Sequence, residues 1–520
     1  MTEEKIVNKA DARTARTVVV MMSIMVIGKA MGLLRDRMQA ITFGATAEAT
    51  AFIQASALPR NFLDIMFAAA LSSSFIPVFS AHLEKKGKKE AFDLASLFIS
   101  VTLVVTTAVT VIAVVFAAPI YDLFAGDGYE VRALGIELLR YMFPLMIFSG
   151  LAFSFTGILQ SLGEFKLPAA MSVVSNGVIL LYYFFLVDRF GVRGLTVAFL
   201  VGWALQAVIQ VPWLIRHKFK FRFRLDFKDS GLREIGRLTL PVLIASWLLP
   251  VNFLVNLRAV RGAYDSMYGV PAIQYAFVLF TVVSGVFILS VSNVIFPKLS
   301  RQVANSDENG FRESLGETVR VLFFFLLPLT FGMMALSQPL IRLVFYGRQF
   351  TDRLVNVTST ALFFMSIGIV GYGLQVVLSR ACFAQKDGRT PFVSTVAGIV
   401  VNAVLSFSLL GLGVAGPALA GAAGVSFGAV VMVVMLTIKG HLVWPVALVA
   451  DLVKMAVLAV LMFFAVRFAH GQLTESRMFF QVFIPAAIGA VVYIAGCAVL
   501  KMKEFIWVLN IVKTKILRNE

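Results

Sequence analysis

The chain is poor in the residues that carry soluble chemistry. It has only two cysteines in 520 residues, Cys382 and Cys497, in separate apolar segments. Two cysteines make no disulfide framework, and no Cys/His spacing suits a structural metal. The four histidines, His82, His217, His441 and His470, all lie near the ends of apolar runs. None is at a depth where it could serve a serine nucleophile, which excludes a Ser-His-Asp hydrolase. No G-x-x-x-x-G-K-[ST] loop is present, so direct ATP hydrolysis is not supported. These absences point to a protein that is not an enzyme and needs no bound cofactor. Acid is also scarce: 29 Asp and Glu stand against 46 Lys and Arg, a net charge of +17. The cations fall in short blocks between apolar runs, a topology signature and not a nucleic-acid stripe.

What remains is apolar. Hydrophobic residues make up 59% of the chain and charged ones 14%, with a mean hydropathy of +0.87. About 20 apolar residues suffice for one bilayer crossing, and runs of that length recur throughout. The runs are continuous and not alternating, which excludes a transmembrane β-barrel. The fold class is an all-α polytopic membrane protein. The polar, basic start has no small-residue cleavage site after its first apolar run, so that run reads as a retained helix.

Fourteen apolar segments are expected as spans: 17–34, 62–82, 91–118, 134–160, 167–188, 194–215, 236–257, 271–297, 315–338, 354–380, 391–410, 414–438, 445–466 and 478–500. With the N-terminus inside, the inner connections carry 30 of the 46 Lys and Arg and the outer ones 14. That bias places both termini in the cytoplasm. The richest inner block holds KFKFRFR at Lys218–Arg224. Its alternation fits either an amphipathic ribbon on anionic lipid or a simple stop signal and linker.

The chain resembles itself at an offset near 220 residues. Lys166, Pro168, Gly191 and Gly194 match Arg389, Pro391, Gly413 and Gly416 in pattern. SSSFIPVFS at Ser72–Ser80 echoes VSNVIFPKLS at Val291–Ser300. Six spans per half make this a parallel duplication, with a lobe over 1–235, a second over 236–440 and a C-terminal helix pair and basic tail over 441–520. Transporters built this way place the pathway where the halves meet.

Charge inside the bilayer is costly and marks function by default. Three groups qualify. Lys29, Arg35, Asp36 and Arg37 lie in and just beyond the first span, with Lys29 and Asp36 on one helix face. Arg60 and Asp64 enter the second span at a spacing that permits pairing. Arg258 and Arg261 close the seventh, with Asp265 beyond. Arginine forks match phosphate oxygens bidentately, and Lys29 adds a point charge. Together they predict a central cationic cavity for a phosphate-bearing cargo, held by Lys29, Arg35, Asp36, Arg60, Arg258 and Arg261. Snorkelling to the outer interface is the alternative for Arg37, Arg60 and Arg261.

GKAMGLLRD at Gly28–Asp36, then FGATAEATAF at Phe43–Phe52, Leu58–Pro59 and SSSFIPVFS, resemble the MurJ/MviN family. That family shows S-R-x-L-G-x-x-R-D, F-G-x-x-x-x-x-D-A-F, L-P and S-x-x-F-[VI]-P in this order. The resemblance covers nearly the whole chain. It implies a flippase of the multidrug/oligosaccharidyl-lipid/polysaccharide exporter superfamily. Such a flippase moves lipid II, an undecaprenyl-pyrophosphate-linked glycan lipid, across the plasma membrane of a bacterium by alternating access. It also implies a monomer among membrane lipids, with an apolar groove at spans 13 and 14 for the polyprenyl tail. Arg35 and Asp36 match the family's functional pair, and Lys29 stands where the family has Arg.

Three departures qualify the match. The family's second-span arginine falls at about Leu63, which Arg60 replaces one turn earlier, and its eighth-span arginine falls at Val278. Some relatives bind sodium through an acid in span 7 and an Asn and Asp in span 11. Here span 7 carries Arg258 in place of an acid, and span 11 keeps Asn402 but has Ser406 where the acid stands. Asn402 and Ser406 are then the remnant of an ion site. Repulsion by Arg258 argues against sodium, leaving the membrane potential as the driver. A flippase for an O-antigen or capsule precursor and a non-transporting scaffold are the rival functions.

Overall fold

The computed structural model describes residues 2–62, 74–125, 129–245, 248–263, 266–444, 446–503 and 505. Among them the only strand-like feature is a bridge between Gly347 and Phe350; the rest is helix and short connection. Helix is what such a composition demands, because in lipid every backbone donor and acceptor has to be satisfied within its own segment.

The chain divides into two compact units, Met1–Pro250 and Val251–Glu520. The first runs through α1 (Thr2–Phe43), α2 (Ala47–Ser56), α3 (Ile76–Lys85), α4 (Lys88–Val115), α5 (Ala117–Ala125), α6 (Tyr129–Met142), α7 (Leu145–Ser161), α8 (Lys166–Phe185), α9 (Val187–Val208), α10 (Val211–Arg216) and α11 (Ser230–Ala245). From the boundary onward come α12 (Leu248–Ala263), α13 (Ser266–Ala304), α14 (Glu308–Ala335), α15 (Ser337–Phe345), α16 (Asp352–Ser366), α17 (Ile369–Ala384), α18 (Arg389–Ser408), α19 (Ala415–Ile438), α20 (Val446–Gly471) and α21 (Met478–Val499).

Ten helices among the described residues are long and apolar enough to cross a membrane, and the pair α16 and α17, bent by 48°, makes an eleventh. They coincide with the expected spans 3 to 6 and 8 to 14. Expected span 1 lies inside the longer α1. Expected spans 2 and 7 cross residues 63–73 and 246–247, outside the described residues, as do Leu63, Asp64 and Asp265.

Glycine sets how closely helices approach. In the first unit α1 packs on α8 through Gly28 and Gly32, a G-x-x-x-G pair. A Cβ on Gly28 would stand 2.3 Å from Ser172 Oγ. In the second unit α18 and α19 are closer still. A Cβ on Gly424 would meet the Gly398 carbonyl oxygen at 2.6 Å, and Ser394 Oγ donates to the Gly428 carbonyl at 2.7 Å. Gly191 and Gly413, matched by the internal repeat, both take positive φ, 51° and 61°. Each turns the chain between two spans in a conformation that disfavours side chains with a Cβ.

After α2 the backbone passes into π-helical turns over Ala57–Phe62, which carry Leu58, Pro59 and Arg60. Pro59 has no N–H to give an α-helical bond, so a break there has a local cause. The turn re-aims Arg60 toward α1.

Candidate functional site

The G-x-x-x-G contact explains the polar centre of the first unit. Because α1 and α8 touch, Asn176 on α8 reaches α1 directly. Asn176 Nδ2 donates to the Gly28 carbonyl at 3.2 Å, and Asn176 Oδ1 accepts from an Arg35 terminal nitrogen at 2.8 Å. The rest of the Arg35 fork grips Asp36, with Nε and the other terminal nitrogen donating to Asp36 Oδ1 at 3.1 and 2.8 Å. Arg60 donates to the same carboxylate oxygen at 3.2 Å. The two guanidinium carbons stand 5.6 and 5.1 Å from the ring centroid of Phe199 on α9. The Arg35, Asp36 and Arg60 side chains are 11%, 10% and 12% exposed.

The arrangement is two arginines on one carboxylate against one aromatic face. Its formal charge is +1. Asp36 offsets the repulsion that would otherwise separate the arginines, and Phe199 supplies a cation–π face. Arg60 thus pairs across the unit with Asp36. Lys29 does not join them. Its side chain is exposed, and no carboxylate lies within ion-pair range of it among the described residues. Sequence reasoning missed Asn176 and Phe199. The signal for Asn176 was present, since an amide in the middle of SVVSNGVILL requires a partner. Phe199 had none, being one phenylalanine among 48.

The second unit holds a different polar centre. Asn402 Nδ2 on α18 donates to Asn252 Oδ1 on α12 at 3.0 Å, and Ser406 Oγ donates to Asn402 Oδ1 at 3.1 Å. In the amide orientation that satisfies the network, Asn256 Nδ2 donates to Asn402 Oδ1 at 2.9 Å. All four residues are buried, between 0% and 5% exposed. Asn402 and Ser406 thus share a network of amides and a hydroxyl, with no carboxylate in it among the described residues. Asn252 and Asn256 were missed.

Arg258 and Arg261 are half-buried on α12, and Arg261 has a polar or aromatic interaction of its own. At 100° per residue they fall on the face of α12 opposite to Asn252 and Asn256. Arg258 therefore does not face the Asn402 network. No group of three or more His, Cys, Asp or Glu suited to a metal occurs among the described residues. Val278, where the resemblance led us to seek an arginine, is buried, and its neighbour Tyr275 packs on Phe345 and Phe350 at 5.1 and 5.5 Å between centroids.

A family model described as lipid II flippase MurJ matches residues 39–489. The chain belongs to the MurJ family. Its α1 site residues precede the matched range, whereas Arg60, Arg258, Arg261, Asn402 and Ser406 fall within it. The chain is 28% identical over 394 residues to a probable lipid II flippase MurJ of Treponema pallidum, covering 73% of each chain. It is 27% identical over 376 residues to the lipid II flippase MurJ of Thermosipho africanus, covering 72% of this chain and 75% of that one. A solved structure of lipid II flippase MurJ in an inward closed conformation superposes with a TM-score of 0.78 at 25% identity, covering 93% of this chain and 98% of that one. An inward-facing multidrug transporter of the MATE family shares the fold, with a TM-score of 0.70 at 16% identity, 81% of this chain and 97% of that one.

Proposed function

We infer that the chain is a lipid II flippase of a bacterial cytoplasmic membrane, carrying the lipid-linked peptidoglycan precursor from the inner to the outer leaflet by alternating access. Membership of the MurJ family over most of the chain is the observation that carries this reading. The chemistry of the first unit supports it. A pyrophosphate needs planar donors in a poorly solvated site, and Arg35 and Arg60 supply two forks on one carboxylate. Asp36 holds both forks side by side until phosphate oxygens compete for them. We assign Arg35, Asp36 and Arg60 to the pyrophosphate, supported by Asn176 and Phe199. Lys29 is not part of that cluster, and Arg258 and Arg261 belong to the second unit.

The same charges support coupling to the membrane potential, which acts at about 2.3 kcal/mol per elementary charge per 100 mV. The neutral amide network of the second unit supports a transport cycle without sodium. The inner placement of both termini rests on the Lys and Arg bias of the connections.

The test is reconstitution of the purified protein into vesicles carrying fluorescent lipid II. Transport exposes the fluorophore to an impermeant quencher within minutes, against a slow background in empty vesicles. Equal rates with and without protein, under an imposed potential, would overturn the reading. A faster rate for a different polyprenyl-pyrophosphate glycan would move the cargo to that class.

A further inference from the structure

The block Lys218–Lys228 is not helical. The turn that ends α10 starts it: Lys218 takes a φ of 64°, its N–H donates to the Ile215 carbonyl at 2.8 Å, and the Phe219 N–H reaches back to the Leu214 carbonyl at 3.0 Å. This capping motif sets Phe219 against the end of the unit, where it packs edge-on to Phe92 with centroids 5.2 Å apart. From there the chain runs without helix to Asp226, tied at Arg224, whose N–H donates to Ser100 Oγ at 3.2 Å.

The alternation now has a physical consequence. Phe219 is 7% exposed, but Phe221, Phe223, Leu225 and Phe227 are 46%, 59%, 45% and 62% exposed. Between them stand Lys218, Lys220 and Arg222, all exposed, with no carboxylate at ion-pair distance among the described residues. Arg224 differs, because it lines a small pocket of about 160 Å³ with Glu90, Asp93 and Asp229. The ribbon leaves directly from the end of the span Val187–Arg216, so it starts at a bilayer surface. Trp213 and Ile215, 37% and 66% exposed, bring the last turn of that span to the same rim.

We propose that Lys218–Phe227 is a docking ribbon for an anionic lipid leaflet, with Phe221, Phe223 and Phe227 entering the headgroup boundary and Lys218, Lys220 and Arg222 binding lipid phosphates. Charge complementarity selects this occupant. Three cations at alternate positions, none with a carboxylate at ion-pair distance among the described residues, form a short row that a dense anionic surface neutralises all at once. The aromatic side chains that alternate with them leave about half of their surface exposed and are long enough to enter the interface. Each cation near such a surface is worth about a fivefold gain in partition, so three give a gain on the order of a hundredfold.

The whole protein offers a clean probe, since Cys382 and Cys497 are both buried. A Phe223→Cys variant carries one dye, in nanodiscs of phosphatidylcholine alone or with phosphatidylglycerol. With phosphatidylglycerol, a tail-borne nitroxide quenches the dye and aqueous iodide loses access at least fivefold. In phosphatidylcholine, iodide reaches it freely. High salt, or K218Q/K220Q/R222Q in the same background, restores iodide access. Equal iodide access in both lipids overturns the proposal. So does equal protection in both, which would make the ribbon an apolar anchor blind to charge.

Discussion

At the scale of single residues, Asp36 matters more than its small size suggests. It is paired with both Arg35 and Arg60. Asp36→Asn leaves two guanidiniums close together in a poorly solvated site, and breaking a buried pair in this way costs about 3–5 kcal/mol. We expect lipid II transport in vesicles to fall at least tenfold. Arg60→Gln removes one of the two competing charges, so the double variant Asp36→Asn/Arg60→Gln recovers protein yield over Asp36→Asn alone while transport stays low. A second residue-scale prediction concerns His441, in the connection after α19. Its ring lies edge-on to Phe311 at 5.9 Å, and its Nδ1 is 3.2 Å from Gln385 Nε2. Burial first, then the charges of Lys439 and Arg312, lower its pKa, against a smaller opposing effect of Glu308 and Asp387. A lowered histidine pKa means that the folded state prefers the neutral ring. The stability is complete above the ordinary value near 6.5 and is lost as pH falls from there through the folded value. Hydrogen exchange in residues 439–444, corrected for intrinsic rates, rises between pH 7.5 and 5.5, and His441→Gln removes that rise. Arg35 and Asp36 were legible in the sequence because charge at bilayer depth needs a reason. Phe199 and the half-turn that swings Arg60 onto Asp36 were not, since both depend on which helices touch.

At the scale of elements, glycine positions govern the packing of both polar centres, and they do not tolerate change equally. The obstacle to a Cβ on Gly28 is the hydroxyl of Ser172, which can rotate away. The obstacle on Gly424 is backbone, the Gly398 carbonyl oxygen at 2.6 Å, together with Asn402 Cβ at 2.7 Å. Overpacking of this kind costs about 1–3 kcal/mol where nothing can yield. Gly28→Ala is therefore expected to keep near-normal thermal stability in detergent, whereas Gly424→Ala lowers the midpoint by several degrees and disturbs the Asn402 network. Equal effects of the two would sink the packing argument. Most spans were legible, because continuous apolar runs bounded by basic blocks leave one solution. The bend between α16 and α17 was not. It falls at Ile367–Gly368, where α19 passes so close that a Cβ on Gly368 would stand 2.9 Å from Ala422 Cα. The expected span 354–380 is accordingly broken in two, for a reason that lies in a helix some fifty residues away.

At the scale of the whole molecule, duplication gives two related units different chemistry. The repeat was legible as an offset in Pro and Gly, and each copy places an asparagine of its fifth span, Asn176 or Asn402, against its first. What lies opposite differs. Asn176 meets an arginine paired with a carboxylate, and Asn402 meets amides and a serine among the described residues. Single-residue reading found the serine at position 406 but not the asparagines that close the network with it. The difference bears on what drives the cycle. A sodium ion leaving water for a buried site meets a net desolvation penalty of at least several kcal/mol even after relaxation, which a carboxylate offsets far better than neutral amides already bonded to one another. A potential acts on charge the protein and cargo already hold, at about 2.3 kcal/mol per charge per 100 mV. Vesicles containing the protein and lipid II separate these drivers. With a potassium diffusion potential imposed and sodium replaced by choline, the initial rate stays within a factor of two. With the sodium gradient kept and the potential collapsed, it falls severalfold. A rate that follows sodium and ignores the potential would show that the amide network binds the ion despite its neutrality. In that case Ser406→Asp, which restores a carboxylate to the network, is expected to strengthen the sodium dependence. If the potential drives the cycle, the same substitution adds an unpaired buried acid and lowers transport in every salt.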